Sequence, residues 1–236
     1  MKKLLVFSAH AADFVWRAAG AIASITASGG TARVVSLSYG ERGESGELWK
    51  QPNQTIENVK AIRHQEASRA AELLGASFEC LDLGDYPLNV GRDALATMID
   101  IICQTAPDII LTHAQQDPFN PDHPVAFSAT ERARQLASGA GVASAFTTVR
   151  PPELLLFEPH QPELCGFVPN VFLNISKVWQ QKQAAMQTMQ AQDYLRQYYT
   201  QRAEHRANHA RRIGGNKSIE YAEAFMRFLP QVVGEL

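Results

Sequence analysis

Short runs of apolar residues alternate along this chain with longer stretches in which apolar residues recur every three or four positions. The first run, residues 4–7 (LLVF), is continuous, which is typical of a strand that is buried on both faces of a parallel sheet. Runs of this kind predict strands at residues 4–7, 31–38, 78–83, 108–112, 153–157 and 171–175.

The stretches between these runs predict helices. In residues 13–28 the helical period places Phe14, Ala18 and Ile22 on one face. The segment 39–53 is rich in glycine and charge and has no period, so we predict a long loop there. Helices are predicted at residues 13–28, 57–74, 93–104, 124–137, 177–209 with a break near Asp193, and 218–228.

The regular alternation of strands and helices predicts an α/β fold. Its sheet should be mostly parallel, with helices on both faces. We expect residues 1–236 to form a single domain, because the chain contains no repeat and no linker-like stretch.

Composition excludes several classes of protein. Apolar residues make up 45% of the 236 residues and charged residues 19%, which is enough for a large core and argues against disorder. The net charge of −2 argues against a nucleic-acid-binding surface. The three cysteines form no CxxC pair, and no apolar run approaches the length of a membrane span, so we expect a cytoplasmic protein without membrane contact.

Residues with catalytic potential follow the predicted strands. Ligands of parallel α/β sheets bind beyond the carboxyl ends of the strands. The first strand lacks the GxGxxG turn of a dinucleotide site, and the chain has no GxxxxGK[ST] motif for a nucleotide phosphate. Imidazoles and carboxylates stand at these strand ends instead: His10, Asp13, His113, Asp117, Asp122, His123, Glu158 and His160.

Three of these residues form a candidate metal-binding set. His10 and Asp13 lie three positions apart at a strand-to-helix turn, and His123 stands at the start of another helix. Two imidazoles and one carboxylate leave coordination positions open, as in a catalytic zinc site, and the same set suits non-haem Fe(II). The alternative is that the histidines form ordinary hydrogen bonds and that Asp13 caps its helix, as Asp122 would cap the next.

Longer motifs around these residues resemble those of the LmbE-like (PIG-L) zinc de-N-acetylases. Residues 8–13 (SAHAAD) are similar to the family's AHPDD signature, 120–123 (NPDH) to its HPDH, and 221–225 (YAEAF) to a stretch near its C-terminus. The resemblance implies a Rossmann-like α/β sandwich. It also implies one zinc ion, or another divalent metal, on His10, Asp13 and His123.

Two positions depart from the deacetylase pattern. The family's catalytic base falls on Ala12, and the first histidine of HPDH, which helps to stabilise the tetrahedral intermediate, falls on Asn120. Loss of a general base and of one source of oxyanion stabilisation would each lower the rate of amide hydrolysis by orders of magnitude. The sequence therefore disfavours deacetylation of an amino sugar as the main activity.

A hydratase branch of the family shares these departures. Residues 10–23, 37–45, 117–124 and 157–163 resemble motifs of the 4-oxalomesaconate hydratases. The resemblance implies a lyase of aromatic-acid (gallate) degradation that adds water to a C=C bond of a small tricarboxylate and forms 4-carboxy-4-hydroxy-2-oxoadipate. The alternatives are a zinc-dependent de-N-acetylase and a metal-retaining anion-binding protein without catalysis.

The same resemblance suggests roles for the remaining candidates. Glu44 and His160 lie in hydratase-type motifs and are our candidates for the catalytic acid and base, with the two roles unassigned. Substrate-binding candidates are Arg17 and Arg42 for carboxylates, Asn120 for a hydrogen bond, and His113, which could equally support a metal ligand. The late helices could also provide a homo-oligomer interface.

Overall fold

A computed structural model describes residues 1–214 and 216–232 and contains a sheet of seven strands. The strand order across the sheet is β3-β2-β1-β4-β5-β7-β6. The strands are β1 (Lys3–Ser8), β2 (Thr31–Ser36), β3 (Ser77–Cys80), β4 (Ile109–Thr112), β5 (Glu153–Phe157), β6 (Val171–Asn174) and β7 (Ala222–Arg227).

Seven α-helices are found in the described part of the chain, together with three single turns of 3-10 helix. The α-helices are α1 (Asp13–Ala27), α2 (Gly46–Trp49), α3 (Ile56–Leu73), α4 (Arg92–Thr105), α5 (Asp122–Leu136), α6 (Trp179–Thr188) and α7 (Leu195–Gly214). The 3-10 turns are Pro162–Leu164, Ser176–Val178 and Gln190–Gln192. No helix of the described residues is both long enough and apolar enough to span a membrane.

The sheet is parallel apart from β7, which runs antiparallel to both of its neighbours, β5 and β6. The chain moves outward from β1 to β2 and β3, then returns to the other side of β1 with β4. This reversal opens a crevice beyond the carboxyl ends of β1 and β4, where open α/β sheets bind ligands. The predicted fold class, an α/β sandwich with a mostly parallel sheet, is confirmed.

The core forms one apolar layer on each face of the sheet, and β1 contributes to both layers. Leu4 and Val6 pack with α1, α3 and α6, whereas Leu5 and Phe7 pack with α4 and α5. Because side chains alternate between the faces of a strand, a strand covered on both sides needs a continuous apolar run. That requirement explains the run from which β1 was predicted.

The predicted helix at residues 218–228 is wrong, because this segment contains strand β7. Alanine, glutamate and methionine in the sequence AEAFMR favour helix locally. In the folded chain the segment lies between β5 and β6, with Phe225 opposite both Phe157 and Val171. Its first four residues are buried. Pairing on both sides and burial thus override the local preference.

Two smaller differences concern loops and helix ends. The predicted loop at 39–53 contains the one-turn helix α2. The helix predicted to begin at residue 124 begins two residues earlier, at Asp122. Pro124 is tolerated inside α5 because the N–H groups in the first turn of a helix have no intrahelical partner. The predicted break near Asp193 is confirmed, since α6 and α7 are separate helices.

A buried ion pair joins β7 to α1 and α6. Glu223 of β7 accepts hydrogen bonds from the backbone N–H groups of Gly20 (2.7 Å) and Ala21 (2.8 Å) of α1. Lys182 of α6 donates to Glu223 (2.7 Å) and to the carbonyl oxygen of Trp16 (2.9 Å). Because each of the two charges has several hydrogen-bond partners, this ion pair fixes the position of α1 against β7 and α6.

We predict that Gly20→Ala lowers the free energy of unfolding by about 1–3 kcal/mol, because the added methyl overpacks this contact. A Cβ at Gly20 would lie 2.6 Å from Cγ2 of Ile175 and 2.9 Å from Cδ of Glu223. Urea denaturation measures the change. Gly141→Ala is the control, since a Cβ there meets nothing within 4 Å, and equal stability of the two variants would contradict the prediction.

Candidate metal centre and active site

The candidate site lies at the carboxyl ends of β1, β2 and β4. The turn after β1 carries His10 and leads into α1 at Asp13, and the segment after β4 carries His113 and reaches α5, which includes His123. The loop between β2 and α2 carries Glu44. The topology therefore brings together residues that are more than 100 positions apart in the chain.

His10 is fully buried, and a carboxylate holds the far side of its ring. Its Nε2 lies 3.2 Å from Oδ2 of Asp122, which also accepts the backbone N–H of Tyr86. Its Nδ1 lies 3.3 Å from Oδ2 of Asp13 and has no hydrogen-bond partner among the described residues. The ring thus turns one free nitrogen toward Asp13.

His123 has the same arrangement with the two ring nitrogens exchanged. Its Nδ1 lies 2.8 Å from Oδ2 of Asp117. Its Nε2 is buried, without a hydrogen-bond partner in the described chain, and lies 3.6 Å from Oδ1 of Asp13. Asp13 therefore lies between two free imidazole nitrogens.

Two groups around this point have ligand atoms close enough together for one divalent metal ion: His10, Glu44 and His123, and Asp13, His113 and His123. Metal-binding histidines commonly hold a carboxylate on the nitrogen that does not bind the metal, as His10 and His123 do here with Asp122 and Asp117. Glu44 is close enough to offer a further oxygen, since its Oε1 lies 3.8 Å from Nδ1 of His10. The ligand types suit zinc and also Fe(II).

Neither of the two aspartates that lead these helices is the N-cap of its own helix. The N-cap of α1 is Ala12, and Asp13, the next residue, accepts the backbone N–H of His10 at 2.8 Å. The N-cap of α5 is Pro121, and the following Asp122 accepts N–H groups from the segment before α4. The capping alternative therefore does not explain these carboxylates.

The electrostatics of the cluster favour a cation. Burial opposes ionisation of Asp13, but the neighbouring imidazoles of His113 and His123 hold its pKa well below the usual range. Burial likewise lowers the pKa of His10, but the hydrogen bond with Asp122 and the nearby carboxylates of Asp13 and Glu44 raise it to about 10. The excess of carboxylates thus retains positive charge at this position.

His113 lies beneath the metal-binding set. Its side chain is completely buried, and its Nε2 accepts the backbone N–H of Ala9 (2.9 Å). Its ring stacks on His123 with 4.0 Å between centroids. Burial and the neighbouring His123 lower its pKa well below the usual value. This position favours a supporting contact with His123 over contact with a substrate.

Glu44 is held between two side-chain amides. Asn120 donates from Nδ2 to Oε1 of Glu44 (2.7 Å), and Gln192 donates from Nε2 to Oε2 (2.6 Å). Glu44 also borders an open pocket of about 570 Å³ that includes His160. The other residues lining this pocket are Gly43, Phe119, Gln161, Tyr194, Leu195 and Tyr198.

His160 follows β5, far from Glu44 in the chain, and reaches the same pocket as Glu44. Its Nδ1 is 3.3 Å from the hydroxyl oxygen of Tyr199. Burial, followed by the charges of Arg17 and His123, lowers the pKa of His160 to about 3. The imidazole is therefore uncharged at neutral pH.

The two candidate arginines have different surroundings. Arg17 of α1 is 5% exposed, and its buried Nε lacks a hydrogen-bond partner in the described part of the chain, although Oδ1 of Asp13 lies 3.8 Å away. Such a cation is suited to bind an anion. The side chain of Arg42 is 47% exposed and already contacts Glu41 and Asp85.

Sequence reasoning missed Gln192 and Tyr199. Gln192 contacts Glu44 across 148 positions of the chain and belongs to a stretch with many glutamines, so no local signal distinguishes it. Tyr199 lies in α7 with the apolar period of a core residue and stacks on Trp16. Both contacts depend on how the late helices fold back over α1.

Comparison with known proteins supports the family resemblance. The family model "PIG-L: GlcNAc-PI de-N-acetylase" matches residues 5–134. A curated relative, 4-oxalmesaconate hydratase from Pseudomonas putida, is 44% identical over 238 residues, which cover 100% of this chain and 92% of that protein. A diacetylchitobiose deacetylase from Thermococcus kodakarensis is 28% identical over 200 residues, covering 81% and 70% of the two chains.

Solved structures agree with these matches. The crystal structure of GalB, the 4-carboxy-2-hydroxymuconate hydratase from P. putida KT2440, has a TM-score of 0.97 and 44% identity, with both chains fully covered. The conserved protein TT1542 from Thermus thermophilus shares the fold, with a TM-score of 0.78, 23% identity and coverage of 99% and 97%. With a family model over more than half of its length and a relative at 44% identity over all of it, this chain belongs to the PIG-L family.

Proposed function

We propose that this protein is a hydro-lyase that adds water to the C=C bond of 4-oxalomesaconate and releases 4-carboxy-4-hydroxy-2-oxoadipate. The observation that carries the proposal is the position of Glu44, a carboxylate beside the metal-binding set, in a chain with an alanine at the base position of the deacetylases. The 44% identity to a hydratase over the full chain supports the same reaction.

We infer that the metal is zinc, held by His10, Asp13 and His123. Two imidazole nitrogens without partners in the described chain, and the carboxylate between them, support this assignment. When bound, the zinc ion would supply a Lewis acid that polarises an oxygen of the conjugated substrate. His113, Asp117 and Asp122 would then keep the ligands in place.

Glu44 is the proposed general base. Both of its oxygens accept amide N–H groups, so the carboxylate is held in one orientation. It would take a proton from water as the oxygen of that water bonds to the substituted carbon of the double bond. The electron pair of the double bond then moves to the neighbouring carbon, toward a carboxylate.

His160 is the proposed proton donor to that neighbouring carbon. In the free protein its pKa is about 3, because burial and nearby cations disfavour the imidazolium form. A bound tricarboxylate brings negative charge into the same pocket, which favours protonation of the ring. The hydrogen bond with Tyr199 fixes the orientation of the imidazole.

Recognition of the substrate is assigned chiefly to Arg17. Its buried guanidinium, with an Nε that has no partner among the described residues, can bind a carboxylate through two N–H groups. Asn120 can offer its second amide hydrogen, while Arg42 is a weaker candidate because Glu41 and Asp85 already neutralise it. Action in the cytoplasm and homo-oligomer formation remain predictions.

Glu44→Gln should lower kcat by roughly 100- to 10,000-fold, because the amide keeps the shape of the side chain but cannot accept a proton from water. Steady-state turnover of 4-oxalomesaconate measures the loss. Glu47→Gln is the control, since Glu47 is exposed and pairs with Lys50. A kcat for Glu44→Gln within twofold of wild type would exclude Glu44 as the base.

Removal of the metal should abolish turnover, and added zinc should restore it. Asp117→Asn should weaken zinc affinity by roughly 10- to 100-fold, because the variant loses the carboxylate that orients His123. Competition with a coloured chelator measures the affinity, and Asp93→Asn in α4 is the control. Full turnover by metal-free protein would contradict both the metal site and the mechanism.

Arg17→Lys should raise KM by roughly 10-fold or more, because an ammonium group replaces the planar guanidinium that binds a carboxylate in two places. Initial rates over a range of substrate concentrations measure KM. Arg69→Lys, on the exposed side of α3, should behave as wild type. An unchanged KM in Arg17→Lys would remove Arg17 from the substrate site.

A further inference from the structure

Gln192 lies in the 3-10 turn between α6 and α7 and is 2% exposed. Its amide nitrogen contacts Oε2 of Glu44 at 2.6 Å. Neither the metal-binding set nor the residues proposed for substrate recognition include it. Its position nevertheless places a donor on the residue that is proposed to accept the proton of water.

The orientation of the Gln192 amide is determined by its other partners. Its carbonyl oxygen accepts hydrogen bonds from Nη2 of Arg63 (3.1 Å) and Nε1 of Trp16 (3.3 Å). Guanidinium and indole N–H groups are donors only, so they must face the oxygen of the amide. The NH2 group of Gln192 is thereby directed at Glu44.

Arg63 is itself fixed within α3. It is completely buried, pairs with Glu66 at 2.7 Å and donates to the carbonyl oxygen of Tyr39 (3.4 Å). Glu66 in turn accepts the backbone N–H of Ala191, next to Gln192 (2.9 Å). The turn and α3 thus form a closed network that ends on one oxygen of Glu44.

Asn120 completes the arrangement on the other oxygen. Its Oδ1 accepts the backbone N–H of Asp122 (3.1 Å), so its NH2 group faces Oε1 of Glu44. Each carboxylate oxygen therefore receives one amide N–H from a side chain whose direction is set elsewhere. The carboxylate is held in position and orientation before any substrate binds.

We propose that Gln192 is a positioning residue for the catalytic base, acting through Glu44 and not through the substrate. The proposal rests on the hydratase function and adds to it the group that fixes the base. Its loss should lower kcat more than it alters KM, because a misdirected base impairs the chemical step and leaves the carboxylate-binding groups intact.

The sharpest variant is Gln192→Glu. It retains the shape and the acceptor for Arg63 and Trp16, but it turns a carboxylate oxygen toward Glu44 where an N–H group was. We expect kcat to fall roughly 10- to 100-fold and KM to change less than about threefold. Gln190→Glu is the matched control, because Gln190 belongs to the same turn, is exposed and donates only to the carbonyl of Gln187.

A second variant, Gln192→Met, removes the donor without adding a group that could share a proton, and kcat should fall in this variant too.

In the Glu44→Gln background the added effect of Gln192→Glu on kcat should shrink to less than about twofold, because the effects of residues that act as a unit are not additive. A purely structural role would instead lower kcat by the same factor in both backgrounds, which would overturn the proposal.

An assay of the zinc-loaded wild-type protein beside these variants distinguishes failure of the positioning role from failure of the hydratase function. If wild type turns over 4-oxalomesaconate and both Gln192 variants match it in kcat, the positioning role is excluded while the hydratase function stands. If wild type shows no turnover, the proposed function fails and the positioning role fails with it.

Discussion

The close packing of ionisable groups at the ends of β1 and β4 is the constraint on which the site depends. The carboxylate of Asp13 lies within 3.2–3.6 Å of nitrogens from His10, His113 and His123. Buried charges of this density are tolerated only when they are paired and hydrogen-bonded. Asp117 and Asp122 meet that demand by holding the outer ring nitrogens, so the inner nitrogens are left for one cation.

The two departures from the deacetylase pattern fit together as one change. Ala12 removes a carboxylate from the turn before α1, and the loop after β2 places Glu44 close to His10 instead. Asn120, where the deacetylases have histidine, supplies the amide that binds Glu44. In the proposed mechanism the base therefore lies at the end of β2 and not at the end of β1, which suits attack of water on a carbon of an alkene in place of an amide carbonyl.

The features that could be predicted from the sequence are those with a local physical signal. The run before His10 predicted β1 because a strand covered on both faces must be apolar throughout. The positions of His10, Asp13 and His123 at strand and helix ends predicted that these side chains lie close together, as they do. Strand β7 was missed, since AEAFMR favours helix until pairing with β5 and β6 decides its conformation. Gln192 could not be found, because nothing near it in sequence indicates a contact with a loop 148 positions away.

The division of the chain suggests where substrate choice is determined. Residues 5–134, which match the family model, contain the metal-binding set and Glu44. Later residues contribute His160, its partner Tyr199, and Gln192, and the pair of Lys182 with Glu223 holds these late elements against α1. Because a shared scaffold cannot by itself distinguish hydration from hydrolysis, the proposed mechanism assigns to the last third of the chain the residue that positions the base and the residue that supplies the acid.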